Sequence, residues 1–308
     1  MQFGAVFPTC EIGDDPIAVR DFAQAAEALG YEHIVIYDHV LGAEHANRTP
    51  ALRGPYDQTH PFHEPFVLLA YLAGITHEID LMTGVLILPQ RQTVLVAKQA
   101  AELSLLSNGR FRLGVGTGWN HVEYTGLGTD YPSRGRRFDE QVQLLRRLWS
   151  EPLVTFRGEF HDIERANIAP RPRARLPLWF GGAAPPAIRR AAATGDGFVF
   201  GAANEYMKGL CGQLVAALDA NGRRAGFGID ALIGFGEGPD AWRREIAAWQ
   251  ALGADTLSVR TMTASTAFVG EKDPGFTRPQ QHIDALSTFM RAVRESSDAG
   301  PNTSETRT

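Results

Sequence analysis

Cysteine is almost missing from this 308-residue chain: Cys10 and Cys211 stand alone, without paired spacing. That excludes a disulfide framework and a cysteine-built zinc site, and it suits a reducing, cytoplasmic setting. No apolar run approaches the roughly 20 residues that span a bilayer, and the N-terminus enters a strand pattern without a basic segment and a long apolar one. Neither a membrane protein nor an exported one is expected. Excess charge of one sign is also lacking. Thirty Lys and Arg against 35 Asp and Glu leave −5, which supplies no field for nucleic acid or an anionic membrane surface. The basic runs at Arg134, Arg136 and Arg137 and at Arg171, Arg173 and Arg175 read as solvated faces, with an anion contact the alternative for the first. Several chemical signatures are missing as well. There is no Gly-x-Ser-x-Gly elbow. His60, His63 and Glu64 lack zinc-protease spacing, so no metal is expected. Lys98 and Lys208 fall in helical patterns and Lys272 in a late loop, which leaves no strand-end lysine for Schiff-base chemistry.

What is present is a rhythm. Short apolar runs occur at Phe3–Phe7, His33–Tyr37, Leu81–Val85, Phe111–Val115, Leu178–Phe180, Gly197–Phe200, Ala231–Phe235 and Thr256–Arg260. Amphipathic helical stretches separate them, among them Ile17–Leu29, Val94–Leu106, Phe138–Trp149 and Ala241–Leu252. Eight strand-helix units with buried-looking strands predict one closed (β/α)8 TIM barrel, a fold that uses this whole length as a single domain. The catalytic domain is expected over residues 1–294 and a flexible polar tail over 295–308. The connections Asp38–Phe62, Tyr124–Ser133 and Pro152–Pro177 are too long for simple turns, so insertions at the C-terminal face are expected. Within the last of them, Val154–Ile163 alternates around a glycine like a small hairpin.

In such a barrel the chemistry sits at the C-terminal ends of the strands. Strand two ends in Tyr37-Asp38-His39. His39 is either a proton donor or acceptor, suited by its near-neutral titration, or a histidine that satisfies a loop backbone. Neighbouring residues of an extended chain face opposite ways, so Asp38 either lines the pocket or orients the loop. Strand three ends in Thr83-Gly84-Val85-Leu86, an ordinary end or a bulge. Strand four runs into Gly114, Gly116 and Gly118, then Trp119 and Asn120. These glycines serve either a tight turn or the close approach of a flat or phosphorylated ligand. They are not the dinucleotide fingerprint, which needs a third glycine where Trp119 stands and an immediate helix; the next helical pattern begins at about Arg134. Strand five ends in Gly181-Gly182-Ala183-Ala184-Pro185-Pro186, a plain helix start or a phosphate cradle of free N–H groups. A glycine-lined pocket with one histidine and a phosphate cradle suits a bound cofactor that carries the reaction.

In order and spacing, these residues resemble the luciferase-like monooxygenase superfamily, in particular its branch of deazaflavin (coenzyme F420)-dependent oxidoreductases. The likeness runs from Met1 to about Asp196. It includes Phe3-Gly4, Ala25-Ala26-Glu27-Ala28-Leu29-Gly30, Asp38-His39, Thr83-Gly84-Val85-Leu86 and Ala97-Lys98-Gln99. It continues through Leu106-Ser107-Asn108-Gly109-Arg110, Gly114 to Trp119, Arg134-Gly135, Gly158-Glu159-Phe160, Gly181-Gly182 and Gly195-Asp196-Gly197, then fades after Phe200. The resemblance implies a flavin or deazaflavin at the barrel mouth and a cis Gly84–Val85 bond bulging behind its central ring. By the same token His39 is the active-site histidine. Asp38, Gly116, Thr117, Gly118 and Trp119 would line the cofactor, and Gly181, Gly182 and Ala183 would meet its phosphate. The sugar-phosphate dehydrogenases of the superfamily carry a glutamate where this chain has Trp119, and lysines for the substrate phosphate that have no counterpart here. A flatter or more apolar substrate is therefore expected, unless Trp119 simply packs under the lid.

The resulting expectation is hydride transfer between coenzyme F420 and a small organic substrate, with His39 managing the proton. The alternatives are an FMNH2-dependent monooxygenase served by a separate flavin reductase and a cofactor-binding protein without turnover. The resemblance also implies a homodimer and a possible flavin or F420 reductase partner, with no nucleic acid and no membrane.

Overall fold

The computed structural model describes residues 1–298. Its elements, in chain order, are β1 (Gln2–Val6), α1 (Pro16–Ala28), β2 (His33–Ile36), α2 (Pro65–Ile75), β3 (Asp80–Thr83), β4 (Leu86–Ile87), α3 (Thr93–Leu106), β5 (Phe111–Gly116) and α4 (His121–Gly126). Then follow α5 (Arg134–Ser150), β6 (Val154–Arg157), β7 (Asp162–Ala166), β8 (Leu178–Gly181), α6 (Pro185–Thr194), β9 (Gly197–Phe200), α7 (Glu205–Ala220), β10 (Gly228–Gly234), α8 (Pro239–Ala251), β11 (Thr256–Arg260), α9 (Thr266–Val269) and α10 (Pro279–Asp298). The parallel strands run β3-β2-β1-β11-β10-β9-β8-β5, and a β3–β5 pairing closes the ring. This is a single (β/α)8 barrel, as the strand rhythm predicts. β6 and β7 form the antiparallel hairpin ahead of β8.

Alternation along each strand divides the core in two. Ala5, Ile34, Leu81, Leu113, Phe180 and Val259 point outward to the helices. Val6, Val35, Met82, Trp179, Val199 and Leu232 fill the lumen with the mouth residues Tyr37 and Met262. Both faces of every barrel strand are therefore covered, which is why these segments read as apolar runs rather than alternating ones. One polar knot lies in the lumen: His33 Nε2 is 3.1 Å from both Asp230 Oδ2 and Ser258 Oγ. A Cβ on Gly4 would stand 2.1 Å from that Ser258 oxygen, so β1 carries glycine there.

Prolines and acidic caps start the helices that frame the mouth. Asp15 accepts from Ile17 N–H ahead of Pro16, and Glu64 accepts from Val67 N–H ahead of Pro65. Among the described residues no helix is long and apolar enough to cross a membrane.

Two expectations change. The chain becomes helical well before Arg134, because the Asn120 side chain accepts from Val122 and Glu123 N–H and starts α4. The boundary expected at 294/295 falls inside α10, and residues 299–308 of the expected tail lie outside the described residues.

Candidate active site at the C-terminal mouth

β2, β3, β5 and β8 are consecutive around the barrel, so the chain segments leaving them share one side of its mouth. The β3 exit is a bulge. Pairing with β5 runs through Leu81–Phe111 and Met82–Arg112, breaks, and resumes at Leu86–Val115. In the gap Thr83 Oγ1 donates to Gly114 O at 2.7 Å and accepts from Gly114 N at 2.9 Å. The Gly84–Val85 peptide is cis.

The glycines around this bulge are shaped by it. A Cβ on Gly114 would meet Thr83 O at 2.0 Å, one on Gly116 would meet Val85 Cγ2 at 2.6 Å, and one on Gly118 would meet Ile87 Cγ2 at 2.7 Å. From the other side, a Cβ on Gly181 would stand 2.7 Å from Val85 Cγ1. Three alternating glycines on β5 and its exit, with one on β8, thus make room for the β3–β4 segment. Gly118 also has φ +61°, a conformation that favours glycine.

At the β2 exit, Asp38 is turned inward and buried. Its Oδ1 accepts from Arg91 Nη2 at 2.7 Å and its Oδ2 from Ile87 N–H at 2.8 Å, while Arg91 Nη1 donates to the helix-capping Glu64 at 2.8 Å. Burial pushes the Asp38 carboxyl upward, against the pull of Arg91. Asp38 therefore ties β2 to β4 and orients the loop.

His39 faces the mouth. Its ring meets Phe62, Tyr56 and Trp119 edge-on, with centroids 4.8, 5.4 and 5.5 Å away, and its side chain is 11% exposed. Its Nδ1 lies 3.3 Å from Glu123 Oε2 on α4. Glu123 is fully buried and surrounded by donors: Val40 N–H and Leu41 N–H reach Oε1, and Gln90 Nε2 reaches Oε2 at 3.2 Å. Burial raises its pKa, but the hydrogen bonds from His39 and the two backbone N–H groups outweigh it, and the net direction is down. Glu123 is an anion under the histidine.

The 38–62 connection closes over this pair without helix or strand. Trp119 supports it: a Cβ on Gly54 would stand 2.3 Å from the indole, and His45 meets the same ring edge-on at 6.0 Å. Trp119 thus packs under the lid and beside His39 at once. Thr117 is half-buried, and its carbonyl accepts from Tyr124 OH at 2.6 Å.

The β8 exit is exposed from Gly182 to Pro186, with Gly182 at φ +145°. No side chain caps α6, and Pro185 and Pro186 have no N–H, so any anion would find the amides of Gly182, Ala183 and Ala184. Across the mouth Arg260 is buried. It donates to Gly201 O at 3.0 Å and pairs with Glu271 Oε2 at 2.5 Å.

His60, His63 and Glu64 do not converge. His60 pairs with Asp57, His63 lies 3.2 Å from Gly13 O, and Glu64 caps α2. Among the described residues no group of three His, Cys, Asp or Glu is placed to hold a metal. A cavity of about 550 Å³ opens at the opposite, N-terminal end of the barrel. Its arginines are spent on neighbours, Arg112 on Glu32 and Asp80 and Arg175 on Asp196.

Glu123, Gln90 and Arg91 escaped the sequence reading. The one available signal is Asn120, a cap residue followed three positions later by an acid.

A closed parallel barrel with a lidded histidine–carboxylate pair and a glycine-lined strip at its C-terminal mouth defines a (β/α)8 barrel of the enzyme type. The chain belongs to the luciferase-like monooxygenase family, whose profile matches residues 1–304. It is 31% identical over 220 residues to an F420-dependent glucose-6-phosphate dehydrogenase of Kineococcus radiotolerans, covering 68% of this chain and 61% of that protein. It is 28% identical over 221 residues to an FMNH2-dependent dimethylsulfone monooxygenase of Pseudomonas fluorescens, covering 70% and 56%. A monooxygenase from Streptomyces bottropensis shares the fold, with TM-score 0.76 and 18% identity over 96% of this chain and 100% of that one. The match spans less than two thirds of the length of these two curated relatives.

Proposed function

We propose that the protein is an F420-dependent oxidoreductase in which His39 manages a proton while a hydride passes between the deazaflavin and a small organic substrate. The observation that carries this is the placement of His39 on an ionised Glu123, beside the glycine-lined exits of β5 and β8. Val85, Gly116, Thr117, Gly118 and Trp119 would border the ring and tail of the cofactor, with Asp38 behind them holding the loop, and Gly182 and Ala183 next to Gly181 would offer N–H groups to its phosphate. The β8 exit fits the phosphate, since Gly182 to Pro186 are exposed and Gly182 lacks the Cβ that would stand 3.1 Å from Ala187 Cβ. The cofactor supplies the hydride chemistry. The chain's own residues bind it, exclude water with Tyr56 and Phe62, and hold a proton on the His39 imidazole.

Absorption and fluorescence titration of the protein with each cofactor tests the proposal. Binding of F420 supports it, and tight binding of FMN with none of F420 overturns it. The FMNH2-dependent monooxygenase reading is favoured by the Pseudomonas fluorescens relative and would require a separate reductase; oxygen uptake coupled to FMNH2 identifies it. In whichever assay shows turnover, His39→Ala should lower the rate roughly 10²-fold or more, whereas a binding protein without turnover has no rate to lose.

Trp119 under the lid, together with the missing lysines, favours a flat or apolar substrate over a sugar phosphate. A homodimer through the barrel helices is part of the same proposal. It is supported by α2, which carries no charge and leaves Val67 71% and Tyr71 40% exposed. A cytoplasmic location agrees with two free cysteines.

A further inference from the structure

We infer that Glu123 is a positioning residue that locks His39 in its Nδ1–H form and so presents an unprotonated Nε2 as the proton acceptor of the site. The inference rests on His39 being the working histidine of the proposed function. Four donors surround the Glu123 carboxylate. Val40 N–H and Leu41 N–H occupy Oε1, Gln90 Nε2 occupies one side of Oε2, and His39 Nδ1 approaches the other. An ionised carboxylate has only acceptors, so the imidazole nitrogen facing it must carry the hydrogen. The tautomer of a neutral imidazole is set by the hydrogen bond its inner nitrogen makes, and Nε2 is then left with its lone pair. A charge-assisted bond of this kind biases the two forms by roughly tenfold or more.

Among the described residues no other group competes for Nδ1. The nearby Asp38 carboxylate is taken up by Arg91 and by Ile87 N–H, and His45 packs against Trp119 while its Nε2 lies 2.8 Å from Tyr56 O. The aromatic rings of Tyr56, Phe62 and Trp119 hold the imidazole plane from its edges. Glu123 fixes which nitrogen is protonated, and the lid rings fix where the ring sits. The cofactor would supply the hydride chemistry, and Nε2 of His39 would take the proton that the substrate loses on oxidation or, from the doubly protonated ring, return one on reduction.

The surroundings also state what a neutral isostere would do. In Glu123→Gln the two backbone N–H groups keep the single amide oxygen at the Oε1 position, which turns the NH2 toward His39 Nδ1 and Gln90. Gln90 can adapt, because its Oε1 is buried without a hydrogen-bond partner among the described residues and becomes the acceptor once the amide rotates. His39 Nδ1 must then accept, and the proton moves to Nε2.

Long-range ¹H–¹⁵N spectra of the full chain at pH 8 read the tautomer directly, with His39→Gln assigning the His39 signals among the nine histidines. The expected result is Nδ1–H in the parent protein and Nε2–H in Glu123→Gln. Carbethoxylation of His39 by diethylpyrocarbonate, which needs an unprotonated ring nitrogen open to the reagent, should slow roughly tenfold in the variant. F420 affinity should stay within about threefold, because Glu123 lies beneath the histidine and not in the strip. A parent protein in the Nε2–H form overturns the inference even if the variant does not fold. So does a Glu123→Gln protein that keeps Nδ1–H. Failure to bind F420 or FMN removes the proposed function and leaves the tautomer result standing, so the two failures are distinguishable.

Discussion

Placing a methyl group on Gly116 tests whether the β5 glycines exist to clear Val85. The built Cβ falls 2.6 Å from Val85 Cγ2, 3.4 Å from Gly181 O and 3.6 Å from Val85 Cβ. Carbon atoms pack at about 3.5–4.0 Å, so the first contact is short by about an ångström and the others are nearly ordinary. Valine is stiff at χ1, and Gly181 blocks it on the far side, where its own Cβ would meet Val85 Cγ1 at 2.7 Å. Gly116→Ala alone should therefore cost about 2 kcal/mol of overpacking. In a Val85→Ala background the offending methyl is gone, and the same change should cost under about 0.5 kcal/mol, helped by the smaller entropy of the unfolded chain. The coupling energy from urea unfolding of the four proteins should thus be about 1.5 kcal/mol or more, beyond the usual error of additivity. Gly114→Ala provides the contrast: its Cβ meets a backbone oxygen, Thr83 O, at 2.0 Å, which Val85→Ala cannot relieve. Equal penalties for Gly116→Ala in both backgrounds would refute the reasoning and return these glycines to a purely ligand-facing role.

Removing the charge of Asp38 should destabilise the mouth. Asp38→Asn leaves the Arg91 guanidinium half-paired in a buried setting, and a loss of about 3 kcal/mol in urea unfolding is expected; a loss under about 0.5 kcal/mol would mean the pair is dispensable. Buried His282 should make the protein acid-sensitive. Burial pushes it from 6.5 down to about 4, so the folded state binds its proton less readily than the unfolded chain. The stabilisation is then fully present above about pH 6.5 and falls by about 1.4 kcal/mol per unit as pH drops toward 4. His282→Gln should flatten that slope relative to the parent in pH-dependent unfolding. Both cysteines should resist alkylation in the folded state, since burial pushes Cys10 up to about 12 and Cys211 to about 11; rapid reaction of either at pH 8 with the fold intact would contradict the packing.

The barrel was legible because its signals are local. Each strand, buried on both faces, prints its own apolar run, and each helix prints its period beside it. His39 was legible for the same reason, since a histidine directly after a predicted strand is placed by its neighbours in the chain. Glu123 was not. It belongs to a six-residue helix too short to show a period, and it meets His39 across a separation of 84 residues. Arg91 and Asp38, 53 residues apart, were hidden in the same way.

The glycines of Arg110–Asn120 mark the boundary between the two kinds of information. By itself the sequence determined that a bare strand end lies there, because three alternating glycines leave one face of an extended chain without side chains. What occupies that bareness was decided only when β3 was laid against β5. Residues about 30 apart in the chain then became neighbours: Val85 fills the space at Gly116, Thr83 bonds to Gly114, and Ile87 covers Gly118. A gap in side-chain cover is a property of the chain, whereas its filling requires a second surface, and closure of the barrel supplies that surface.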